Sequence, residues 1–465
     1  MGFSSLPTEV LHHIFANFCA HCTNPEPCKA MPNFDSPVCR ADKKALANAC
    51  LINKSFHRIA QPILFHYCAL NATASGIKAD RLRGQLVNFL HSLYRRPDLA
   101  TEVRALSFLP GRDWADKYTL GMPLRDTMRE LGVMYHNSRS VRLGILTHLI
   151  MSLTLNTEYL RVTAPLGDNL EYWRHIQPLP RVKLLELVTL AGSSALVKQG
   201  EVFRVLCNLE TMHIAGSSLL CEHHYDSHSD EEKACDHRTW HVLPSSLKRV
   251  VFDYVDTFRL PHLFDHCPQL QDLELFMIHT GRLWEDATPP NGALEETRHT
   301  LRRLVVSLQD WFSWMDRPGG FEQRVGPEGA CYKFNFSFRN MTKLEFLGVD
   351  QTMLVAEVIR ATGTSIKLSE ALPVSLKTLH IGYVVRWHVL LEQLHDLYSA
   401  KLRATGALEL TTVRFDPHFS IVEDAEEIRG LLHSVGIALE QGQNPGGQPG
   451  FSRQMLSPSL DGMAR

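Results

Sequence analysis

The chain has 465 residues, 44% of them hydrophobic and 21% charged, with a formal net charge of −2 and an isoelectric point near 6.9. That length exceeds one ordinary core, so several domains or one elongated repeat array is expected, and the near-neutral charge gives no drive toward nucleic acid or an anionic membrane. The N-terminus lacks the basic and apolar regions of a signal peptide and no segment reaches about 18 uninterrupted apolar residues, so a soluble cytoplasmic or nuclear protein is expected, its eleven cysteines reduced.

The first element begins at Leu6-Pro7-Thr8-Glu9. The fixed φ of Pro7 suits a first helical turn, and Glu9 complements the positive end of the helix dipole. Val10, Leu11, Ile14, Phe15 and Phe18 then fall on a single helical stripe. A second stripe carries Leu46, Ala49, Cys50, Ile52 and Phe56 and runs through Asn53-Lys54-Ser55-Phe56 toward Ile59 and Ile63-Leu64. Helices this short bury too little surface to stand alone, so they should pack on each other and on something else.

This pattern resembles the F-box, a small helical module that opens with Leu-Pro and docks on the Skp-type adaptor of cullin-RING (SCF) ubiquitin ligases. The match is strongest at Leu6, Pro7, Glu9, Ile14 and Phe15 and again at Asn53 to Phe56. It departs in the middle, where residues 20–41 are longer and richer in Cys and Pro than the compact pattern. The resemblance implies that Leu6, Pro7, Val10, Leu11, Ile14, Phe15, Leu51, Phe56 and Ile59 contact the adaptor or hold the helices that do. It also implies that a cullin is reached through that adaptor. The module is assigned to residues 1–70.

A linking helix follows within residues 71–100, with Leu82, Leu86, Phe89, Leu90 and Leu93 on one stripe and an end near Pro97. Beyond it, runs of the form L-x-x-L-x-L recur, where L is any bulky apolar residue. They start at Val103, Val182, Leu209, Leu247, Leu270, Leu301, Leu344, Leu376 and Leu410, with a degenerate copy at Thr157. Most intervals hold one short strand and one returning helix or loop, for example Val141 to Leu155 and Val197 to Leu206. Three strand starts share a local design: Leu243-Pro244-Ser245-Ser246-Leu247, Cys267-Pro268-Gln269-Leu270 and Leu372-Pro373-Val374-Ser375-Leu376. Such spacing is the signature of a leucine-rich-repeat solenoid, and the scarcity of the usual asparagine after each strand is similar to the divergent repeats of F-box proteins. The expected architecture is α/β: a short N-terminal helical F-box followed by an irregular leucine-rich-repeat solenoid over 101–438, parallel strands on the concave face and helices and loops on the convex face. Residues 439–465, rich in Gly, Gln, Asn, Pro and Ser, are expected to be a disordered tail.

Side chains alternate along a strand, so the positions between the buried L residues should face solvent. They include Tyr159, Arg161, Arg249, Glu274, Phe276, Arg303, Phe346 and His380, a mixed-charge face with the aromatic and Arg side chains that anchor protein interfaces. These are the candidate contacts to a target protein. The aromatic excursion from Asp310 to Phe338 is a second candidate surface.

Two Cys/His clusters could hold zinc. Cys19-x2-Cys22-x5-Cys28-x10-Cys39, with His21 inside it, offers a first knuckle, but ten residues separate its second pair where two to four are usual. Cys221, His223, His224, Cys235, His237 and His241 form a denser set in a long insertion, set against a background of 24 histidines. No cofactor is assigned, and no G-x-S-x-G, H-E-x-x-H, P-loop or G-x-G-x-x-G signature is present. The expected function is a non-catalytic substrate receptor. A scaffold uncoupled from ubiquitination is the alternative, and a metal-dependent hydrolase built on the Cys221 to His241 cluster is a remote one.

Overall fold

The computed structural model describes residues 6–23, 34, 36–71, 79–109, 118–119, 140–141, 143–164, 177–189, 200–215, 244–255, 267–277, 294, 297–307, 338–351, 367–384, 387–403, 408–417 and 425–441. The clusters at Cys221 to His241 and nearly all of the aromatic excursion lie outside them. The chain divides into two compact units at Ile214/Ala215, inside the stretch that the spacing of the runs had suggested was one array.

The first unit opens with three helices, α1 (Thr8–Ala16), α2 (Pro37–Ile52) and α3 (Lys54–Phe65). Pro7 is the residue before α1 rather than its first turn, and its carbonyl accepts from the Leu11 amide at 3.1 Å. The second helix starts at a Ser-Pro pair: Ser36 Oγ accepts from the Cys39 amide at 3.1 Å, and Pro37 occupies a position whose amide has no helical partner. Asn53 ends α2 and starts α3. Its extended backbone breaks the helix, and its Oδ1 accepts from the Phe56 amide at 2.8 Å, so one residue makes the corner.

A strand follows α3 immediately: β1 (Tyr67–Asn71). The sequence reading placed these residues at the end of the helical module and missed the strand. Phe65, Cys68 and Leu70 do follow the L-x-x-L-x-L spacing, but Phe65 is also the last residue of α3, which hides the pattern. The expected linking helix is α4 (Ala79–Arg95), with Leu86, Leu90 and Leu93 buried, and a single turn, α5 (Pro97–Ala100), follows it. Then come β2 (Ala105–Leu109), a short antiparallel pair β3 (Tyr118–Thr119) and β4 (Ser140–Val141), α6 (Leu143–Leu153), β5 (Tyr159–Ala164), β6 (Leu184–Thr189), α7 (Gly200–Val205) and β7 (Thr211–Ala215). Strands β1, β2, β5, β6 and β7 neighbour one another in that order, and the β1–β2, β2–β5 and β5–β6 ladders are parallel.

The second unit continues the scheme with β8 (Arg249–Val255), β9 (Asp272–Met277), β10 (Arg303–Ser307), β11 (Phe346–Asp350), α8 (Leu368–Ala371), β12 (Thr378–Val384), α9 (Trp387–Leu402), β13 (Thr412–Pro417), α10 (Ala425–Ser434) and β14 (Ala438–Gln441). Its strands are also adjacent in chain order, and the pairs from β8 to β14 are parallel. β14 corrects the tail boundary, since Leu439 to Gln441 belong to a strand. The preceding α10 ends at Ser434, Gly436 follows with a φ of 79° that only glycine adopts without strain, and the Ile437 amide closes back on the Leu432 carbonyl at 2.9 Å. That turn aims the chain into the last strand.

Every L-x-x-L-x-L run produced a strand, beginning two residues after its first apolar position. The alternation is the reason. Leu273, Leu275, Leu304, Val306, Leu347, Val349, Leu379, Ile381, Val413 and Phe415 are each at most 1% exposed, while the residues between them form the other face. The strand starts repeat one backbone device. A carbonyl accepts from two successive amides of the next strand: His66 from Arg104 and Ala105, Arg104 from Glu158 and Tyr159, Lys248 from Gln271 and Asp272, Glu345 from Lys377 and Thr378, all at 2.7 to 3.0 Å. Within each unit these positions follow one another from strand to strand at the strand entrances.

Candidate functional site

The helical module has an inner and an outer set of apolar side chains. Leu11, Phe15, Leu46, Phe56, Ile59 and Ile63 are buried together, with the Phe15 and Phe56 rings edge to face at 5.3 Å. The same cluster takes in Tyr67, Ala105, Tyr159 and Leu184. Those four occupy one register row across β1, β2, β5 and β6, so the module packs onto the first strands of the sheet.

Of the residues expected to serve an adaptor, Leu11, Phe15, Phe56 and Ile59 are therefore core, and Ile14 is half-buried against them. Leu6, Pro7, Val10 and Leu51 are exposed. Eight large apolar side chains stand exposed among the described residues, and five of them, Leu6, Val10, Val38, Leu51 and Ile52, belong to this short module. Leu51 reaches 84% and Val38 68%. The sequence reading overlooked Val38, which follows the Ser-Pro helix start, and counted Ile52 among the inward residues, where it is 65% exposed. The helical stripe of α2 stops one turn earlier, at Ala49.

The eight residues expected on a target-binding face divide by position. Tyr159 is 3% exposed, in the core beneath the helical module, and is not a surface residue. Arg161 is also buried, its Nε 3.1 Å from Glu186 Oε1, with His213 Nδ1 at 3.8 Å from the same oxygen. In the second unit Arg249 Nη2 lies 2.8 Å from Glu274 Oε1, and Arg303 Nε lies 3.5 Å from it. The Arg303 guanidinium covers the Phe346 ring at 4.1 Å. Phe276, Val251 and Val305 form a small apolar cluster against Phe346, and His380 Nε2 is 2.8 Å from Asp416 Oδ2. Within the second unit, Arg249, Glu274, Phe276, Arg303, Phe346 and His380 occupy alternating strand positions on one face, with Phe276 buried at 8% and the others half-buried.

One group of metal-type ligands assembles among the described residues, and it is not the quartet that spacing suggested. Cys19, His21, Cys22 and His66 bring their ligand atoms within 4.8 Å of one another. Cys22 Sγ is 3.2 Å and Cys19 Sγ 3.8 Å from His66 Nδ1, and Cys22 Sγ is 3.9 Å from His21 Nδ1. Cys39 is not among the four, its backbone carbonyl accepting from Tyr67 Oη at 2.9 Å, and Cys28 lies outside the described residues. The missing ligand, His66, sits at the α3–β1 junction 44 residues after Cys22. Its carbonyl is locked by the Arg104 and Ala105 amides.

The neighbouring Cys22 thiol draws Cys19 below the usual thiol range against the opposing effect of burial, with His66 assisting, while Cys19 and burial together hold Cys22 above that range. Burial pushes His21 below an ordinary imidazole. The contrast is Cys68, fully buried, where desolvation raises the thiol to about 11.

No protein-family model matches the chain, and no curated protein is significantly similar to it in sequence. No helix among the described residues is long and apolar enough to cross a membrane.

Proposed function

We propose that this chain is a substrate receptor of an SCF-type ubiquitin ligase, with α1 to α3 as the F-box that docks a Skp-type adaptor and, through it, a cullin. The observation that carries the reading is the exposed apolar set Leu6, Val10, Val38, Leu51 and Ile52 on helices whose other face is fully packed. Apolar side chains held out on a rigid, well-packed module are costly in water unless a partner covers them. The recurrent strand starts support a divergent leucine-rich-repeat array, whose half-buried strand positions, Arg249, Glu274, Arg303, Phe346 and His380 among them, would receive a target protein. The receptor performs no bond chemistry. It contributes proximity and orientation to ubiquitin transfer catalysed by other subunits in the cytoplasm or nucleus.

The test is co-purification of adaptor and cullin with wild type, with Leu6→Ala/Pro7→Ala and with Leu51→Glu. Both variants should lose the adaptor, a change of about 2 kcal/mol or ~30-fold in affinity for each central contact, while target proteins stay bound to the strands. Adaptor binding that survives both variants defeats the reading.

A further inference from the structure

We infer that Cys19, His21, Cys22 and His66 form a structural zinc site. Zinc bonds of about 2.3 Å to sulfur and about 2.0–2.1 Å to nitrogen, arranged tetrahedrally, place ligand atoms roughly 3.3–3.8 Å apart. The three separations of 3.2, 3.8 and 3.9 Å lie close to those edges, and all four atoms are within 4.8 Å. Two thiolates and two imidazoles neutralise a divalent ion and match the softness of zinc better than that of magnesium or calcium.

An independent feature points the same way. Both imidazoles turn Nδ1 toward the sulfurs, and a carboxylate stands behind each outward nitrogen. Glu158 Oε2 is 3.8 Å from His21 Nε2, and Glu102 Oε2 is 3.9 Å from His66 Nε2. Carboxylates behind metal-bound imidazoles orient the ring and strengthen it as a ligand. Glu158 is further held by Arg104 Nη1 at 3.9 Å. Glu158 and Arg104 are strand-entrance residues of the same row as His66, so the sheet itself presents the second layer of the site. The His21 ring also lies edge-on to Tyr159 at 5.8 Å, which limits its rotation.

Four protein ligands leave no open coordination position, so the ion's role is structural rather than catalytic. It joins the turn after α1 to the α3–β1 junction and closes the long, Cys-rich segment between them. A cross-link that closes a loop of this length restricts the unfolded chain more than the folded one. This inference stands independently of adaptor binding.

The experiment uses the 465-residue chain purified with reductant, carrying Cys221→Ser and Cys235→Ser so that the other Cys/His cluster does not contribute. Elemental analysis should give one zinc per chain, lost in His66→Ala and in Cys22→Ser. Cobalt exchanged into the site should show thiolate charge-transfer and tetrahedral ligand-field bands that both substitutions remove. Glu158→Gln, which keeps all four ligands, should weaken zinc affinity ~10-fold or more in a chelator competition. The inference is overturned by protein without zinc, by zinc that persists in His66→Ala, or by a Cys19–Cys22 disulfide in the reduced preparation. If His66→Ala does not fold, unchanged affinity in Glu158→Gln overturns it.

Discussion

The helical module at residues 6–65 holds apolar side chains out in the open, whereas the charged strand positions of the second unit are mostly half-buried, and the two are finished in opposite ways. On the module, Leu51, Val38 and Ile52 project apolar surface that nothing in the chain covers among the described residues. On the strands, charged groups are met from within: Glu274 serves Arg249 and Arg303, Asp416 serves His380, and Glu440 lies 2.8 Å from Arg414 Nη2. The first surface would gain free energy by burying its side chains against another protein, as the proposed docking requires. The second must exchange existing ion pairs for new ones, a trade that favours selectivity over affinity. A constant partner suits the module and a discriminated one suits the strands.

Substitutions can break or sharpen that contrast. The largest effect is expected inside the module. Phe56→Ala removes the ring packed on Phe15 and should cost about 3–5 kcal/mol, seen as a lowered denaturant midpoint. A small loss there would show that the module is not the rigid support assumed. Next is Glu274→Ala in the second unit. It strips a carboxylate with 12% side-chain exposure from two arginines and should cost about 2 kcal/mol, most of it from Arg249, because Arg303 is more exposed to water. A neutral result would mean that the ion pairs do not organise this face. The smallest effect on stability belongs to Leu51→Ser. At 84% exposure it should change unfolding by no more than about 0.5 kcal/mol while still weakening adaptor binding. Marked destabilisation would place Leu51 in packing and remove it from the docking surface.

Much of this arrangement was legible in the chain. The strands were found because a half-buried strand forces a period of two, and Leu270, Leu273 and Leu275 display it plainly. The corner at Asn53 and the start at Ser36-Pro37 rest on side-chain caps, which an apolar stripe running through Asn53 and an insertion over residues 20–41 both hide. Errors fell where one residue answers to two periodicities, as at Phe65, and where the outer face of a strand is covered by another element. Tyr159 has the alternation of a surface residue, but the helical module lies over it.

By itself, then, the sequence determined the first helix start near Pro7, the ten strands of the L-x-x-L-x-L runs and which side chains of those strands turn inward, because these follow from local geometry and short-range periodicity. Tertiary structure alone decided what those elements meet. It set Tyr67, Ala105, Tyr159 and Leu184 beneath the module, and it brought His66 to Cys19, His21 and Cys22 in place of Cys39. Spacing can propose ligands only among near neighbours. A partner 44 residues away is supplied by the packing of α3 against the sheet, which no local rule contains.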